Sequence, residues 1–428
     1  MRTLPSMRAA FTMCFLGMLF YCYEYYLRVA PSVMKLELQN SFHLTETSFG
    51  YLVAFYYYAY TLMQIPVGLS IDKFGPRRVL TFACAICALG TYCFATTTYT
   101  PIAQLARFMI GFGSAFAYVG VLKLTNDWLP SKYFAPVTGL CNTLGMLGAI
   151  FGEVTMEYLV RIIGWQATLH YAVIAGVILM LTLWLVLKDK DSQTNQADNQ
   201  ETLTLASICK ALIILSRNRQ MWLIGLIGCF TFLPISGFAE VWAPNYLENA
   251  GLTKSQAAWG SSLVFLGFAF GAPTWGYLSE LIKSRRLPLM MGSLAAATSM
   301  LYLLWIPADV GTIYIMLFLT GFFASVEILI FAVGNDISDS RASATAAAFS
   351  NMVITIAGAL LAPIVGLILD NSLKASGQAI PSLTHYSAAL TIIPACLILA
   401  SIITMMLKES HPKAVSRFVK PSMIKAVN

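Results

Sequence analysis

The sequence predicts an all-α membrane protein whose twelve transmembrane helices form two pseudo-symmetric six-helix bundles. The composition, the long apolar runs and one polar break near the middle of the chain predict this fold. Of the 428 residues, 58% are hydrophobic and 11% are charged, and the mean hydropathy is +0.70. Soluble domains carry about 25% charged residues, so the composition favours a membrane protein over a soluble enzyme.

Many apolar runs reach the roughly 20 residues that cross the hydrocarbon core of a bilayer. Backbone groups in lipid must be hydrogen-bonded within their own segment, so each run predicts a helix. The first run lacks a small-residue cleavage site and predicts a retained helix, not a signal peptide. The predicted spans lie near 9–33, 47–70, 79–98, 101–125, 134–160, 166–187, 219–246, 255–279, 287–306, 310–335, 343–369 and 384–407.

A polar break divides the spans six and six. Residues 188–202 read KDKDSQTNQADNQET, which is too polar to bury an apolar surface. The stretch LTLASICKALIILSRNRQ that follows predicts a helix on the inner membrane face. We therefore predict a six-helix bundle over 1–187, a cytoplasmic linker over 188–218, and a second bundle with a cytoplasmic tail over 219–428.

The positive charges predict the orientation. With the N-terminus inside, most Lys and Arg residues fall in cytoplasmic segments, and the opposite loops hold Lys35, Arg161, Lys254 and Lys374. This bias predicts that both termini are cytoplasmic. We expect a monomeric multi-pass protein of a bacterial inner membrane. The net charge of +7 follows from this bias and implies no nucleic-acid partner.

Two segments repeat between the halves. GLSIDKFGPRR lies between spans 2 and 3, and GYLSELIKSRR lies between spans 8 and 9. Equivalent positions hold Gly68 and Gly276, an acid (Asp72 or Glu280), and a basic pair (Arg77 and Arg78, or Arg285 and Arg286). Asn142 in span 5 and Asn351 in span 11 repeat in the same way. Duplicated halves around a site near the membrane midplane are typical of secondary transporters.

The first copy resembles motif A of the major facilitator superfamily, roughly G-x-x-x-D-[RK]-x-G-[RK]-[RK]. The matching residues are Gly68, Asp72, Lys73, Gly75, Arg77 and Arg78, with Pro76 at the first basic position. With the span count, the linker and the second copy, the resemblance covers essentially the whole chain and implies alternating-access transport. Asp72 can cap a neighbouring helix and pair with a basic residue across the halves, as a gate; alternatively, the arginines are only orientation signals.

Other segments are similar to anion:cation symporters and organophosphate antiporters of that superfamily. They are FYYYAYTLMQIPVG, ARFMIGFG, DWLPSKYFAPVTGLCNTLG and the GW of span 6. The resemblance implies that Arg28 contacts a substrate anion, with Tyr60 and Asn142 nearby. Leu27 and Ser114 replace acids of the family pattern, so the proton site has moved or coupling is absent. The chain also resembles, less closely, amino acid and nucleoside transporters of intracellular bacteria.

The charges of span 1 are the first candidate site. Glu24 and Arg28 stand one helical turn apart on one helix face, in the stretch YEYYLRVAPSV. A charge at the bilayer centre costs about 2.5–3.5 kcal/mol, and the two side chains offset each other's cost. Arg28 offers a planar fork that suits a carboxylate or phosphate, and Tyr25 adds a hydroxyl. The alternative is a snorkelling arginine beside an aromatic belt.

Further polar residues in the spans are candidate substrate contacts. Lys123 can bind an anion, or it can extend towards the cytoplasm. Glu240 can bind an amine or close the outer gate beside Gly237. Asn142 and Asn351 are candidate contacts at facing positions of the halves.

The candidate proton-coupling acids are Glu24, Glu153 and Glu327. Glu327 is isolated within ASVEILIFAVG, which suits a carboxyl group that is neutral for part of its cycle, or a structural hydrogen bond. Arg107 is predicted to brace the bundle. Asp370 and His385 are predicted to lie in loops.

We find no motif in the sequence that predicts an enzyme. A glycine-rich phosphate loop followed by Lys-Ser/Thr is missing, so ATP hydrolysis is not expected. The four histidines are too dispersed for a metal site, and no cofactor is implied. Cys84 and Cys87 lie in an apolar helix, where packing explains them.

We therefore predict a secondary transporter of a small organic solute, coupled to protons. The mixture of both charges favours a zwitterion such as an amino acid or short peptide. The alternative is an organic or sugar-acid anion, moved by proton symport or uniport. A non-transporting receptor or scaffold on the same fold is the alternative from another class.

Overall fold

Several of the helices begin at a capping side chain. The side chains of Thr45, Asn218, Thr253 and Asp309 each accept a hydrogen bond from a backbone N–H of the helix that follows. Such caps satisfy donors that the first helical turn leaves free. The computed structural model describes residues 7–189, 213, 215–337 and 343–410. The predicted surface helix of the linker and the cytoplasmic tail lie largely outside these residues.

Twelve spans, labelled α1 to α12, are formed where the sequence predicts them. Within the described residues, eight of them are long and apolar enough to cross a bilayer by length and composition alone; the others are α1, α2, α5 and α8. The spans are α1 Met7–Val33, α2 Glu46–Met63 with Pro66–Phe74, α3 Pro76–Thr96, α4 Thr100–Trp128, α5 Phe134–Ile163, α6 Trp165–Val186, α7 Arg219–Asn249, α8 Lys254–Ile282, α9 Arg286–Trp305, α10 Val310–Ile337, α11 Ser343–Ser376 and α12 Leu383–Thr404.

The spans pack as two equivalent bundles. In the first, α1 packs on α5, α2 on α4, and α3 on α4 and α6. In the second, α7 packs on α11, α8 on α10, and α9 on α10 and α12. Each pair has its counterpart six spans later, which confirms the predicted pseudo-symmetry. The bundles meet mainly where α2 packs on α11 and where α5 packs on α8.

Two spans contain irregular turns. Pro234–Trp242 in α7 is π-helical, and Ser325–Ile328 in α10 is a 3₁₀ turn. Each interruption contains an acid that was predicted to be a site residue: Glu240 in α7 and Glu327 in α10. Irregular turns inside long helices often mark functional positions, and periodicity in the sequence does not reveal them.

The halves are joined at the end of the molecule that holds the α1–α2 connection, which we call the outer side. The Asp370 carboxylate accepts hydrogen bonds from the backbone N–H groups of Glu46 (3.1 Å) and Thr47 (3.0 Å) at the start of α2. Lys35 forms an ion pair with Glu46 at 2.6 Å and donates to the Tyr386 hydroxyl at 2.7 Å. These contacts close the outer side in this conformation.

The placement of Asp370 and His385 in loops was wrong. Asp370 lies within α11, because that helix continues past its apolar stretch to Ser376. His385 lies in the first turn of α12, where it forms a reciprocal capping pair with Ser382. The outer ends of α11 and α12 therefore present ordered polar groups to the first bundle.

Candidate functional site

The face of α1 that carries Glu24, Arg28 and Ser32 is buried. The three residues are spaced one turn apart, and their exposed fractions are 0%, 3% and 1%. This face packs on α5 of its own bundle and on the π-helical turn of α7 in the other. The structure shows that Glu24 and Arg28 point inward, as predicted, and that Arg28 does not snorkel.

Arg28, Glu24 and Tyr56 form a closed triangle of hydrogen bonds. Arg28 Nη2 donates to the Glu24 carboxylate oxygens at 2.9 and 3.2 Å. Arg28 Nε donates to the Tyr56 hydroxyl at 3.0 Å, and that hydroxyl donates to Glu24 Oε2 at 2.8 Å. Charge-assisted bonds of this kind are about twice as strong as neutral ones, so the triangle offsets the cost of burying two charges.

Tyrosine rings surround the guanidinium of Arg28. The distances from Arg28 Cζ to the ring centroids are 4.1 Å for Tyr25, 5.0 Å for Tyr60, 5.3 Å for Tyr56 and 6.0 Å for Tyr57. Each contact of this geometry contributes about 0.5–2 kcal/mol. Tyr25 and Tyr60 were predicted here. Tyr56 and Tyr57 were missed, although the run FYYYAY places them on the same side of α2 as Tyr60.

Glu240 approaches the same arginine from the other half. Its Oε1 lies 3.7 Å from Arg28 Nη1, and its Oε2 accepts a hydrogen bond from the Tyr57 hydroxyl. Glu240 is 1% exposed, and Oε1 has no hydrogen-bond partner within the described part of the chain. A cluster of both charges therefore spans the interface between the bundles.

Arg107 supports this cluster from α4. It donates to the carbonyl oxygens of Leu27 (3.1 Å) and Arg28 (3.4 Å), and its guanidinium lies 5.2 Å from the Tyr56 ring centroid. These bonds hold the backbone of α1 at the level of the Arg28 side chain. The geometry agrees with a bracing role.

The other candidate proton-coupling acids are buried apart from the triangle. Glu153 of α5 accepts a hydrogen bond from Ser32 at 2.9 Å, and its second oxygen has no hydrogen-bond partner among the residues described. Glu327 is 5% exposed, and the described residues give it no hydrogen bond or ion pair. Both acids are available to bind a proton or a cation.

The predicted asparagines contribute to packing between and within the bundles. Asn351 Nδ2 donates to Gln64 Oε1 of the first half at 2.7 Å, close to a hydrogen bond between Thr61 and Thr355 at 2.9 Å. Asn142 lies beside the Tyr118 hydroxyl in its own half. Of the two predicted asparagines, Asn351 forms a hydrogen bond between the halves in this conformation.

Lys123, predicted as a substrate contact, lies at the gating motif. Its ammonium group is 3.0 Å from Asp72 and 3.5 Å from Asp127, because its long side chain extends towards the end of α4. Asp72 therefore pairs within its own half here. The predicted pairing of Asp72 across the halves stays a prediction for the alternative conformation.

The two copies of the motif are tied down in equivalent ways. Asp189, after α6, accepts from the backbone N–H of Arg77 at 3.0 Å. Glu409, after α12, accepts from the backbone N–H of Arg285 at 2.8 Å. Gly75 has φ +82°, and a Cβ there would lie 2.5 Å from an Asp189 oxygen. The positive φ of Gly75 therefore favours glycine at this turn, and a side chain there would also have to displace the Asp189 carboxylate.

The basic residues of the motif bind main chain and acids. Arg77 Nε donates to the Trp184 carbonyl at 2.9 Å, and Arg286 Nη2 donates to the Met405 carbonyl at 2.8 Å. Arg285 pairs with Glu280 at 2.8 Å and with Asp336 at 3.2 Å. Arg78 is exposed, and Gly68 faces open space.

Breaking the Asp72–Lys123 pair is expected to change the conformational equilibrium only slightly. The side chains are 53% and 28% exposed, and exposed pairs contribute about 0–1 kcal/mol. We expect Asp72→Asn and Lys123→Gln each to shift the equilibrium between inward and outward states by up to about fivefold. Distances between labels at the ends of the halves that carry the two motif copies would measure the shift.

The double variant provides the control. If the pair acts as a unit, Asp72→Asn adds nothing to Lys123→Gln. Additive effects would instead show that Asp72 acts through a different partner.

A family model described as the Major Facilitator Superfamily matches residues 13–253 and 241–422. The chain belongs to the major facilitator superfamily. The match confirms the predicted resemblance and the predicted fold, and it places the chain among transporters rather than enzymes.

Curated relatives are similar at low identity. The uncharacterized transporter YybO of Bacillus subtilis is 28% identical over 240 residues, which cover 53% of this chain and 54% of that protein. This chain thus spans about half the length of that relative. The probable galactarate/D-glucarate transporter GarP of Escherichia coli is 25% identical over 64% of this chain and 69% of its own length. The hexuronate transporter of Escherichia coli is 25% identical over 80% and 82%.

Solved structures share the fold. A bacterial homolog of the human lysosomal transporter Spinster, inward-facing and unoccupied, superposes with a TM-score of 0.76 at 15% identity, covering 97% of this chain and 100% of the other. A D-xylose–proton symporter gives 0.71 at 14% identity, covering 94% and 98%.

Proposed function

We propose that this superfamily member is a secondary transporter that moves a small organic acid by alternating access, with protons as the coupling ion. The observation that carries the proposal is the position of Arg28. It is buried between the halves, its fork is oriented by Glu24 and Tyr56, and its Nη1 faces the other bundle. A planar guanidinium in this position suits a carboxylate.

The relatives support an acid over the zwitterion that the sequence favoured. Those with a named substrate include transporters for galactarate or D-glucarate and for hexuronate, and a probable sulfoacetate transporter. All of these solutes carry an acidic group, and Arg28 supplies a matching charge. The buried acids Glu24, Glu153, Glu240 and Glu327 are sites where a coupled proton can reside.

A zwitterion is the second candidate, and the charge count of the site favours it. Glu24 and Glu240 face Arg28, while the guanidinium of Arg107 is directed at main-chain carbonyls. A solute with an ammonium group would compensate the excess of acids. Glu240 Oε1 and the free oxygen of Glu153 are both positions for that group.

Uptake by proteoliposomes distinguishes the candidates. We expect labelled glucuronate, galactarate or sulfoacetate to be taken up under an inward proton gradient, and unlabelled acids to compete. Competition by amino acids or dipeptides but not by sugar acids would favour the zwitterion. Absence of uptake and of exchange with the whole panel would contradict the proposed function.

A further inference from the structure

Glu240 belongs to the second half of the chain, whereas its polar partners Arg28 and Tyr57 belong to the first. We propose that Glu240 is the proton-coupling acid of the transport cycle, and that its proton is exchanged against the solute carboxylate at Arg28. The inference rests on the proposed transport of an organic acid. From the sequence, Glu240 was predicted to bind an amine or to close the outer gate. The candidate proton-coupling acids were Glu24, Glu153 and Glu327.

Glu240 and the solute carboxylate would share one binding position on Arg28, the Nη1 atom. Nη2 and Nε of Arg28 are engaged by Glu24 and Tyr56. Nη1 faces Glu240 Oε1 at 3.7 Å, which is longer than a hydrogen bond. A solute carboxylate that binds Nη1 therefore has to displace Glu240 Oε1, because the 3.7 Å between the two atoms leaves no room for another group.

The charge balance then requires a proton. Two like charges about 4 Å apart repel by about 4 kcal/mol at an effective dielectric constant of about 20. A proton taken from water onto Glu240 Oε1 removes this repulsion, and the resulting hydroxyl can donate to the solute. When the solute leaves, the O–H bond breaks, the proton returns to water on that side, and Glu240 again faces Arg28. One proton thus accompanies each solute carboxylate.

Charged groups of both signs surround Glu240. They are the cations Arg28 and Arg107 and the acids Glu24 and Glu153. Tyr25 and Tyr57 complete the titratable groups that face it from α1 and α2. From α8, Ser261 donates to the Ala239 carbonyl, and from α11, Leu361 packs against Gly237. Binding of a solute anion therefore adds a negative charge to a cluster that already holds charges of both signs.

The backbone at Glu240 is a second, independent observation. The acid lies in the π-helical turn Pro234–Trp242, which begins with proline and contains Gly237. π-helical turns are rare and occur frequently at functional sites. Ionised Glu240 also attaches this turn to Arg28 and Tyr57 of the other half, so its protonation weakens a contact between the halves. Proton binding and the movement of the halves are thereby linked.

The test compares Glu240→Gln with the wild-type protein in proteoliposomes. With glucuronate as the probe, solute exchange at equal concentrations is measured for each protein, and uphill uptake is expressed relative to that exchange. Uphill uptake driven by a pH gradient should fall by about tenfold or more, and solute-driven proton flux should be lost. Glu240→Asp retains a titratable group and is expected to stay coupled. Glu157→Gln, an acid paired with Arg161 on its own helix at 3.5 Å, is the matched control.

Each outcome decides the inference separately from the proposed function. Concentrative uptake by Glu240→Gln would overturn the inference while the transport of acids stands. A wild-type protein that exchanges none of the acids would overturn the proposed function itself. If Glu240→Gln does not fold, proton uptake on addition of glucuronate decides. About one proton per solute in the wild-type protein, with an altered pH dependence in Glu240→Asp, supports the inference. No proton uptake by the wild-type protein, or an unaltered pH dependence in Glu240→Asp, overturns it.

Discussion

Arg28→Lys is expected to lower solute exchange by about 100-fold while the protein remains folded. Lysine keeps the charge, so Glu24 is not left as a lone buried ion. It loses the fork that bonds Glu24 and Tyr56 together and the flat face against the tyrosine rings. Hydrogen bonds to charged groups contribute about 1.5–3 kcal/mol, and loss of one or two accounts for the expected factor. Exchange in proteoliposomes is the measurement.

Arg28→Ala should act on stability as well. It leaves Glu24 and Glu240 buried without their cation, and removing one partner of a buried pair costs about 3–5 kcal/mol. We expect a clear drop in thermal midpoint, whereas Arg161→Lys, at an arginine whose side chain is 57% exposed, should change neither stability nor exchange. If Arg28→Lys exchanged solute at the wild-type rate, the solute anion would have to bind at a residue other than Arg28. Intact function of Arg28→Ala would favour a non-transporting receptor.

The bilayer explains why the fold could be predicted from the sequence. Each span must be a helix of about 20 residues, so apolar runs alone give the element order. The repeat of Gly68–Arg78 at Gly276–Arg286 then predicts two halves. The irregular turns at Glu240 and Glu327 could not be predicted, because packing between helices determines them.

The candidate site was predicted in part because charges in a membrane helix are costly. Glu24 and Arg28 stood out for that reason, and their spacing put them on one face. The contact of Arg28 with Glu240 joins residues far apart in sequence, and only the docking of the halves creates it. Lys123 was assigned to the substrate because sequence position cannot show that its side chain extends to Asp72.

The outer contact between α2 and α11 depends on glycine. A Cβ at Gly366 would lie 2.4 Å from the Glu46 carbonyl oxygen, and one at Gly50 would lie 2.4 Å from the Ala362 carbonyl oxygen. Real Cβ atoms do not approach a backbone atom so closely, and backbone cannot rotate aside as a side chain can. Two spans from different halves can therefore close on each other only if these positions lack a side chain.

Gly366→Leu is expected to prevent outer closure and to reduce exchange by at least about tenfold, since overpacking costs about 1–3 kcal/mol. Separation of the spans also breaks the bonds from the Glu46 and Thr47 N–H groups to Asp370. Hydrogen–deuterium exchange at the start of α2 should therefore rise. Asp370→Asn should raise it less, because it weakens the cap and leaves the packing intact.

Gly139→Leu is the matched control, because a Cβ at Gly139 meets nothing within 4 Å. It should leave solute exchange and amide protection at α2 unchanged. Fast solute exchange by Gly366→Leu together with protected amides at residues 46 and 47 would show that the spans accommodate the side chain. Outer closure would then rest on Lys35, Glu46 and Tyr386 rather than on glycine packing. Loss of protection with retained exchange would separate this contact from the transport cycle altogether.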